Sequence, residues 1–206
     1  MRTLLAFGIS LGWFALMAQL YLILWNRTTS IAETIIRYFS FFTILTNILV
    51  ALCFTFLLFK PASKWGIYFK RPSVATAITV YITIVGVVYN IVLRPLWNPQ
   101  GLQLVVDELL HSVIPVLVLA YWFAFVPKGK LGWKQFLPWL LYPLIYLVYV
   151  LIRGSLWGSY PYPFINVESL GYEEVFINCG VVCLAFMFFS FLLIGLSRIM
   201  SKTSLK

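Results

Sequence analysis

Apolar residues along this chain neither alternate nor recur every third or fourth position; they run in long unbroken blocks separated by short polar gaps. A bilayer core of about 30 Å needs ~20 apolar residues at 1.5 Å per residue. Six blocks meet that length, at 3–25, 38–59, 74–93, 104–126, 136–152 and 175–197. The pattern predicts an all-α membrane protein, a bundle of six transmembrane helices forming one domain over residues 1–206. The fifth block is the shortest and holds Pro138 and Pro143. It still reads as a span, because neighbouring helices can satisfy the backbone groups that proline frees. The first block is too long for a signal-peptide core and lacks a small-x-small cleavage site, so it reads as a retained first span.

Composition agrees with the blocks. The chain is 62% hydrophobic and only 10% charged, with a mean hydropathy of +0.95, whereas soluble domains carry about 25% charged residues. A formal charge of +9 invites a nucleic-acid reading, but no basic helix or basic–aromatic stripe is present. The charges sit in the gaps instead, and they sort by side. Eleven of the fifteen Lys and Arg fall at the amino terminus, the second and fourth gaps and the carboxyl tail (Lys206 included); the remaining four are Arg27, Arg37, Arg94 and Arg153. All six acids lie with those four. By the positive-inside rule both termini are cytoplasmic, in a multi-pass cell-membrane protein. Trp25, Trp65, Trp97, Trp133 and Trp157 lie near block ends, as an aromatic belt requires. Cys53, Cys179 and Cys183 all lie within apolar blocks; a pair one turn apart could be a redox or metal site, but free Cys also packs as a small hydrophobe.

Orientation assigns depths to the polar residues inside the blocks. Thr43 precedes Lys60 by 17 residues, and His111 precedes Lys128 by 17, placing both about 25 Å from the basic end. Asn90, Arg153 and Asn178 fall near the same level on three other helices. His111 is the only histidine, and Asp107 lies one turn before it, on the same face, where it can orient the imidazole. Pro115 follows one turn later and should kink the helix. Thr43 and Asn47 share a face on the second span, with Thr46 beside them. Such residues often do no more than hydrogen-bond between helices, but an ionisable residue inside a membrane is a functional candidate. Arg94 and Arg153 read as interfacial anchors ahead of ligand clamps.

A hydroxyl nucleophile needs a base to take its proton, and a histidine oriented by a carboxylate is the usual partner. Thr43 lies at the right depth. Ser112 adjoins His111 in sequence and so points about 100° away on a helix. Asn90 or Asn178 could donate to an oxyanion, with Asn47, Asp107 and Arg153 as further substrate contacts. There is no Gly-rich phosphate loop, no metal-ligand set and no second histidine for a haem, so no cofactor is expected.

The segments RYFSFFTILTNILVAL (37–52), LRPLW (93–97), DELLHSVIPVLVLAYW (107–122) and YPYPFINV (160–167) together resemble a bacterial six-helix family written Pr-six-Pr. That family is in turn similar to the eukaryotic androgen-induced and androgen-dependent transmembrane proteins, threonine hydrolases of fatty acid esters of hydroxy fatty acids. The resemblance covers essentially the whole chain. It implies Thr43 as nucleophile, in the aromatic–hydrophobic–Thr pattern of Phe41, Phe42 and Thr43, and His111 as general base, with Ser40 and Thr46 as alternative nucleophiles if the alignment slips. The acid pair Asp107–Glu108 and the 160–164 segment have no place in the eukaryotic mechanism. That segment reads as an external lid or as an interfacial aromatic anchor.

Three functions therefore stand open: a hydrolase of a membrane lipid or lipid-like ester, a binding or transport protein using the same polar layer, and a structural partner with no small-molecule site.

Overall fold

The computed structural model describes residues 1–203, and every regular element among them is helical. In chain order these are α1 (Arg2–Trp25), α2 (Ile31–Phe39), α3 (Phe42–Phe59), α4 (Lys64–Phe69), α5 (Pro72–Leu96), α6 (Gly101–Phe125), α7 (Trp133–Trp157) and α8 (Val167–Ser201). All but α2 and α4 are long and apolar enough to cross a membrane, six helices among the described residues. The five block-end tryptophans are all exposed. Lys206, counted with the basic end, lies outside the described residues.

Three boundaries differ from the hydropathy reading. The second span starts at Phe42, not at residue 38, because α2 stops first. Ser40 Oγ donates to Ile36 O at 2.7 Å, and Phe41 is extended (φ −83°, ψ 125°). The fifth helix continues to Trp157 because Arg153 is buried and paired inside the protein, so its charge does not end the span. The helix stops at Gly158, which takes the left-handed conformation (φ 63°) that glycine adopts without steric cost. The sixth begins at Val167 and carries a non-helical break at Gly171 (φ 76°, ψ 165°).

α5 is the central element, buried continuously from Ala75 to Gly86, with α3, α6 and α8 against it. Small residues set two of the close approaches. A Cβ on Gly8 would fall 2.6 Å from the Phe54 ring, so α1 can lie close on α3 only with glycine there. A Cβ on Gly86 would sit 3.0 Å from His111 O, which brings α5 onto α6 where α6 changes its winding.

That change is a π turn over Leu109–Val113. Ile114 N–H reaches back to Leu109 O, and Pro115 has no N–H, so the carbonyls of Leu110 and His111 lose their α-helical donors. Side-chain amides replace them: Asn47 Nδ2 donates to Leu110 O at 3.2 Å, and Asn90 Nδ2 to His111 O at 3.3 Å. On α7, Pro143 frees Trp139 O, and the Tyr81 hydroxyl donates to it at 2.8 Å.

At the opposite end, Lys128 closes α6. Its Nζ donates to Trp122 O and Val126 O and lies 4.1 Å from the Trp122 ring centre. A cation at the C-terminal carbonyls complements the helix dipole, while burial lowers the Lys128 pKa.

Candidate functional site

The site grows from the start of α3. Its first N–H groups have no intrahelical acceptor, and Phe41 offers no side-chain cap. Tyrosines supply the acceptors. Phe42 N–H donates to Tyr146 Oη at 3.2 Å, and Thr43 N–H donates to Tyr162 Oη, also at 3.2 Å. The same Tyr162 oxygen lies 3.3 Å from Thr43 Oγ1, and either oxygen can be the donor. Burial raises the Tyr162 pKa, while its hydrogen bonds with Thr43 draw it back; the phenol is protonated at neutral pH.

Tyr162 reaches Thr43 because the segment 158–166 folds back over the bundle and is strapped there. Tyr160 lies on Gly154, where any Cβ would overlap its ring. Arg153 is ion-paired with Glu33 and donates to Ser159 O at 2.9 Å. Asn178 Nδ2 donates to Phe164 O at 3.0 Å.

One turn along α3 from Thr43, Asn47 Nδ2 donates to Thr43 O at 2.9 Å as well as to Leu110 O. It ties α3 to the π turn at the residue before His111. His111 Nδ1 lies 2.9 Å from Asp107 O and 3.4 Å from Asp107 Oδ1. In the neutral imidazole, Nδ1–H donating to these oxygens leaves the lone pair on Nε2. The imidazole stacks on Tyr89, centroids 3.9 Å apart and planes 15° from parallel, and Tyr89 Oη donates to Asp107 Oδ2. Tyr89 opens a second π turn, Tyr89–Leu93, so two such turns meet here; π turns are frequent at functional sites.

Thr43, Tyr89, Asp107, His111 and Tyr162 line one cavity of about 580 Å³. Its wall also includes Thr28, Trp97 and Pro161, so it opens at the end formed by the α1–α2, α5–α6 and α7–α8 connections. A second, apolar space of about 150 Å³ lies between α5, α7 and α8. Thr43, Tyr89, Leu93 and Tyr162 line both.

Of the residues singled out in the sequence, Thr43, Asp107 and His111 therefore meet in one cavity. Asn47 and Asn90 sit behind them and hold backbone carbonyls. Arg153 and Asn178, given the same depth by residue count, line neither cavity and brace the 158–166 segment. The other hydroxyls are also elsewhere: Ser40 Oγ bonds Tyr149 Oη at 2.8 Å, Thr46 faces Tyr142 Oη at 3.3 Å, and Ser112 Oγ is buried without a hydrogen-bond partner. Among the described residues Thr43 Oγ1 contacts Tyr162 and makes no hydrogen bond to His111. Tyr89 and Tyr162 were not expected at the site, although the 160–164 segment pointed to the second. No protein-family model, curated protein or solved structure matches this chain.

Proposed function

We propose that this integral membrane protein hydrolyses a lipid ester, with Thr43 as nucleophile, His111 as general base and Asp107 as the group that orients the imidazole. The observation that carries this is a single cavity holding a threonine hydroxyl and an imidazole whose Nδ1 is tied to Asp107. The resemblance to the Pr-six-Pr and androgen-induced proteins puts nucleophile and base on the same two residues. With the lysine-rich end in the cytoplasm, both termini are inside, and the cavity opens on the external side of the cell membrane.

In this reading Nε2 takes the Thr43 proton, directly or through one water, as Oγ1 attacks the ester carbonyl carbon. The Tyr162 hydroxyl shifts its hydrogen bond to the developing oxyanion. Asn90 and Asn178 are not available for that role: both Asn90 amide N–H groups are spent on the carbonyls of Gly86 and His111, and Asn178, bonded to Phe164 O, lines neither cavity. Collapse of the tetrahedral intermediate breaks the ester C–O bond, and His111 returns the proton to the departing alcohol. Water, deprotonated by Nε2, then attacks the acyl-threonine, releasing the carboxylic acid and restoring Thr43. Arg153 and Asn178 keep the 158–166 lid in place.

Purified protein given long-chain esters should lose at least about 10³-fold in turnover in Thr43→Ala and in His111→Ala. A fluorophosphonate probe should label wild type and not Thr43→Ala. Turnover equal in wild type and both variants would overturn the assignment. One observation favours a second reading, a binding or transport protein: Thr43 Oγ1 rests on Tyr162, not on the imidazole. Ligand-dependent flux in liposomes without a Thr43 adduct would select it.

A further inference from the structure

The two spaces that meet at Thr43 have opposite chemistry. The smaller is walled by side chains such as Val85, Leu144, Phe164 and Phe186. Leu144 is 56% exposed on the flank of a helix long and apolar enough to cross a membrane, so the groove opens sideways, where an acyl chain can enter. The larger cavity has Arg27 and Arg37 in its wall. Among the described residues neither arginine is ion-paired, since the three acid–base pairs are Arg94–Glu108, His111–Asp107 and Arg153–Glu33. Arg27 spends one N–H on Leu24 O at 2.9 Å. Asp107 is the one carboxylate lining the cavity, and its oxygens are engaged by Tyr89 and His111. The wall of the mouth thus includes two arginines with no carboxylate free to neutralise them. Their planar forks match phosphate or carboxylate oxygens, and they repel the cationic end of a zwitterionic head group.

We infer that the site takes an anionic lipid, its phosphate or carboxylate head on Arg27 and Arg37 and one acyl chain in the α5–α7–α8 groove. An ester linking the two then lies at Thr43; only that last placement rests on the hydrolase reading.

The test is binding to purified protein in detergent, read by native mass spectrometry and thermal shift. The probes are phosphatidylglycerol, phosphatidylcholine with the same chains, oleate and glycerol 3-phosphate. Phosphatidylglycerol should bind about tenfold more tightly than phosphatidylcholine, as two partly exposed charge contacts allow. The double variant Arg27→Gln/Arg37→Gln should erase that preference, and Arg27→Lys/Arg37→Lys should keep most of it. Arg37→Gln alone, at an exposed residue whose side chain makes no hydrogen bond among the described residues, covers failure of the double variant to fold and should reduce the preference. Arginine-dependent binding of oleate would identify a carboxylate as a sufficient head. Equal binding of the two phospholipids by wild type, or a preference that survives glutamine at both positions, overturns the inference. So does glycerol 3-phosphate binding as tightly as the lipid, since the groove would then contribute nothing. Thr43→Ala should leave the preference intact. An arginine-dependent preference without turnover would sink the hydrolase reading alone, and Thr43-dependent turnover indifferent to head group would sink this inference alone.

Discussion

Pro115 in α6 and Pro143 in α7 pose the same problem, and the bundle solves it with different chemistry. At Pro143 one freed carbonyl, Trp139 O, is met by one phenol from α5; Tyr81 and Trp139 are buried and line neither cavity, although Pro143 itself borders the apolar groove. At Pro115 two carbonyls, Leu110 O and His111 O, are met by amides from two helices, Asn47 on α3 and Asn90 on α5. Both repairs satisfy groups that lipid cannot. Only the second fixes the height and rotation of an ionisable side chain, because His111 lies inside the segment being held. A phenol from one side suffices to stabilise a helix; aiming an imidazole takes amides from two sides.

The largest break in this comparison should come from Asn47→Leu. The change keeps the volume but removes the donor to Leu110 O, leaving a buried carbonyl unpaired, against which the loss of the unpartnered Asn47 Oδ1 is a small relief. We expect a loss of about 2 kcal/mol in stability, measured by detergent-phase thermal unfolding, and at least a tenfold drop in ester turnover as the π turn loses its tie to α3 (~1.4 kcal/mol). Stability lost with turnover unchanged would show that Asn47 supports the fold alone. Next in size is Tyr81→Phe at the other proline. It should cost about 1 kcal/mol and leave turnover per folded molecule untouched. Combined with Pro143→Ala, which restores a backbone donor to Trp139 O, most of that cost should vanish. A double-mutant cycle should show coupling of about 0.6 kcal/mol, and strict additivity would mean that Tyr81 does not act through that carbonyl.

What could be read in the sequence divides along the same physical line. The six spans were legible because length and hydropathy are local, and Thr43 and His111 could be set at one level because counting residues from the basic end gives height along each helix. Height is not azimuth. Counting gives Arg153 and Asn178 the level of Thr43, yet they bond the 158–166 segment, because rotation about a helix axis is set by packing partners, which one sequence does not reveal. The break between α2 and α3 was hidden for a related reason: Ser40 and Phe41 end one helix and begin another within a continuous apolar run. Tyr162 was missed because its role depends on a connection folding back so that a hydroxyl caps α3. Tyr89 was missed because stacking on His111 needs the α5–α6 contact that Gly86 permits.

The smallest stability effect tests the comparison most directly. Asn90 is exposed, so Asn90→Ala should cost only about 0.5 kcal/mol, water taking over His111 O. Turnover should still fall a few-fold, in kcat and not in KM, because the imidazole is less firmly aimed while the cavity is unchanged. Adding Pro115→Ala returns a backbone N–H that can bond His111 O, just as Pro143→Ala does for Trp139 O, so stability should recover. Activity should not. A regular α-helical turn in place of the π turn rotates His111 relative to Asp107 and Thr43, and turnover should drop below that of Asn90→Ala alone. At Pro143 the restored donor repairs everything that Tyr81→Phe took away; at Pro115 it should repair the fold and worsen the chemistry. Full recovery of turnover in Asn90→Ala/Pro115→Ala would mean that the π turn has no part in directing His111, and the two prolines would then be equivalent.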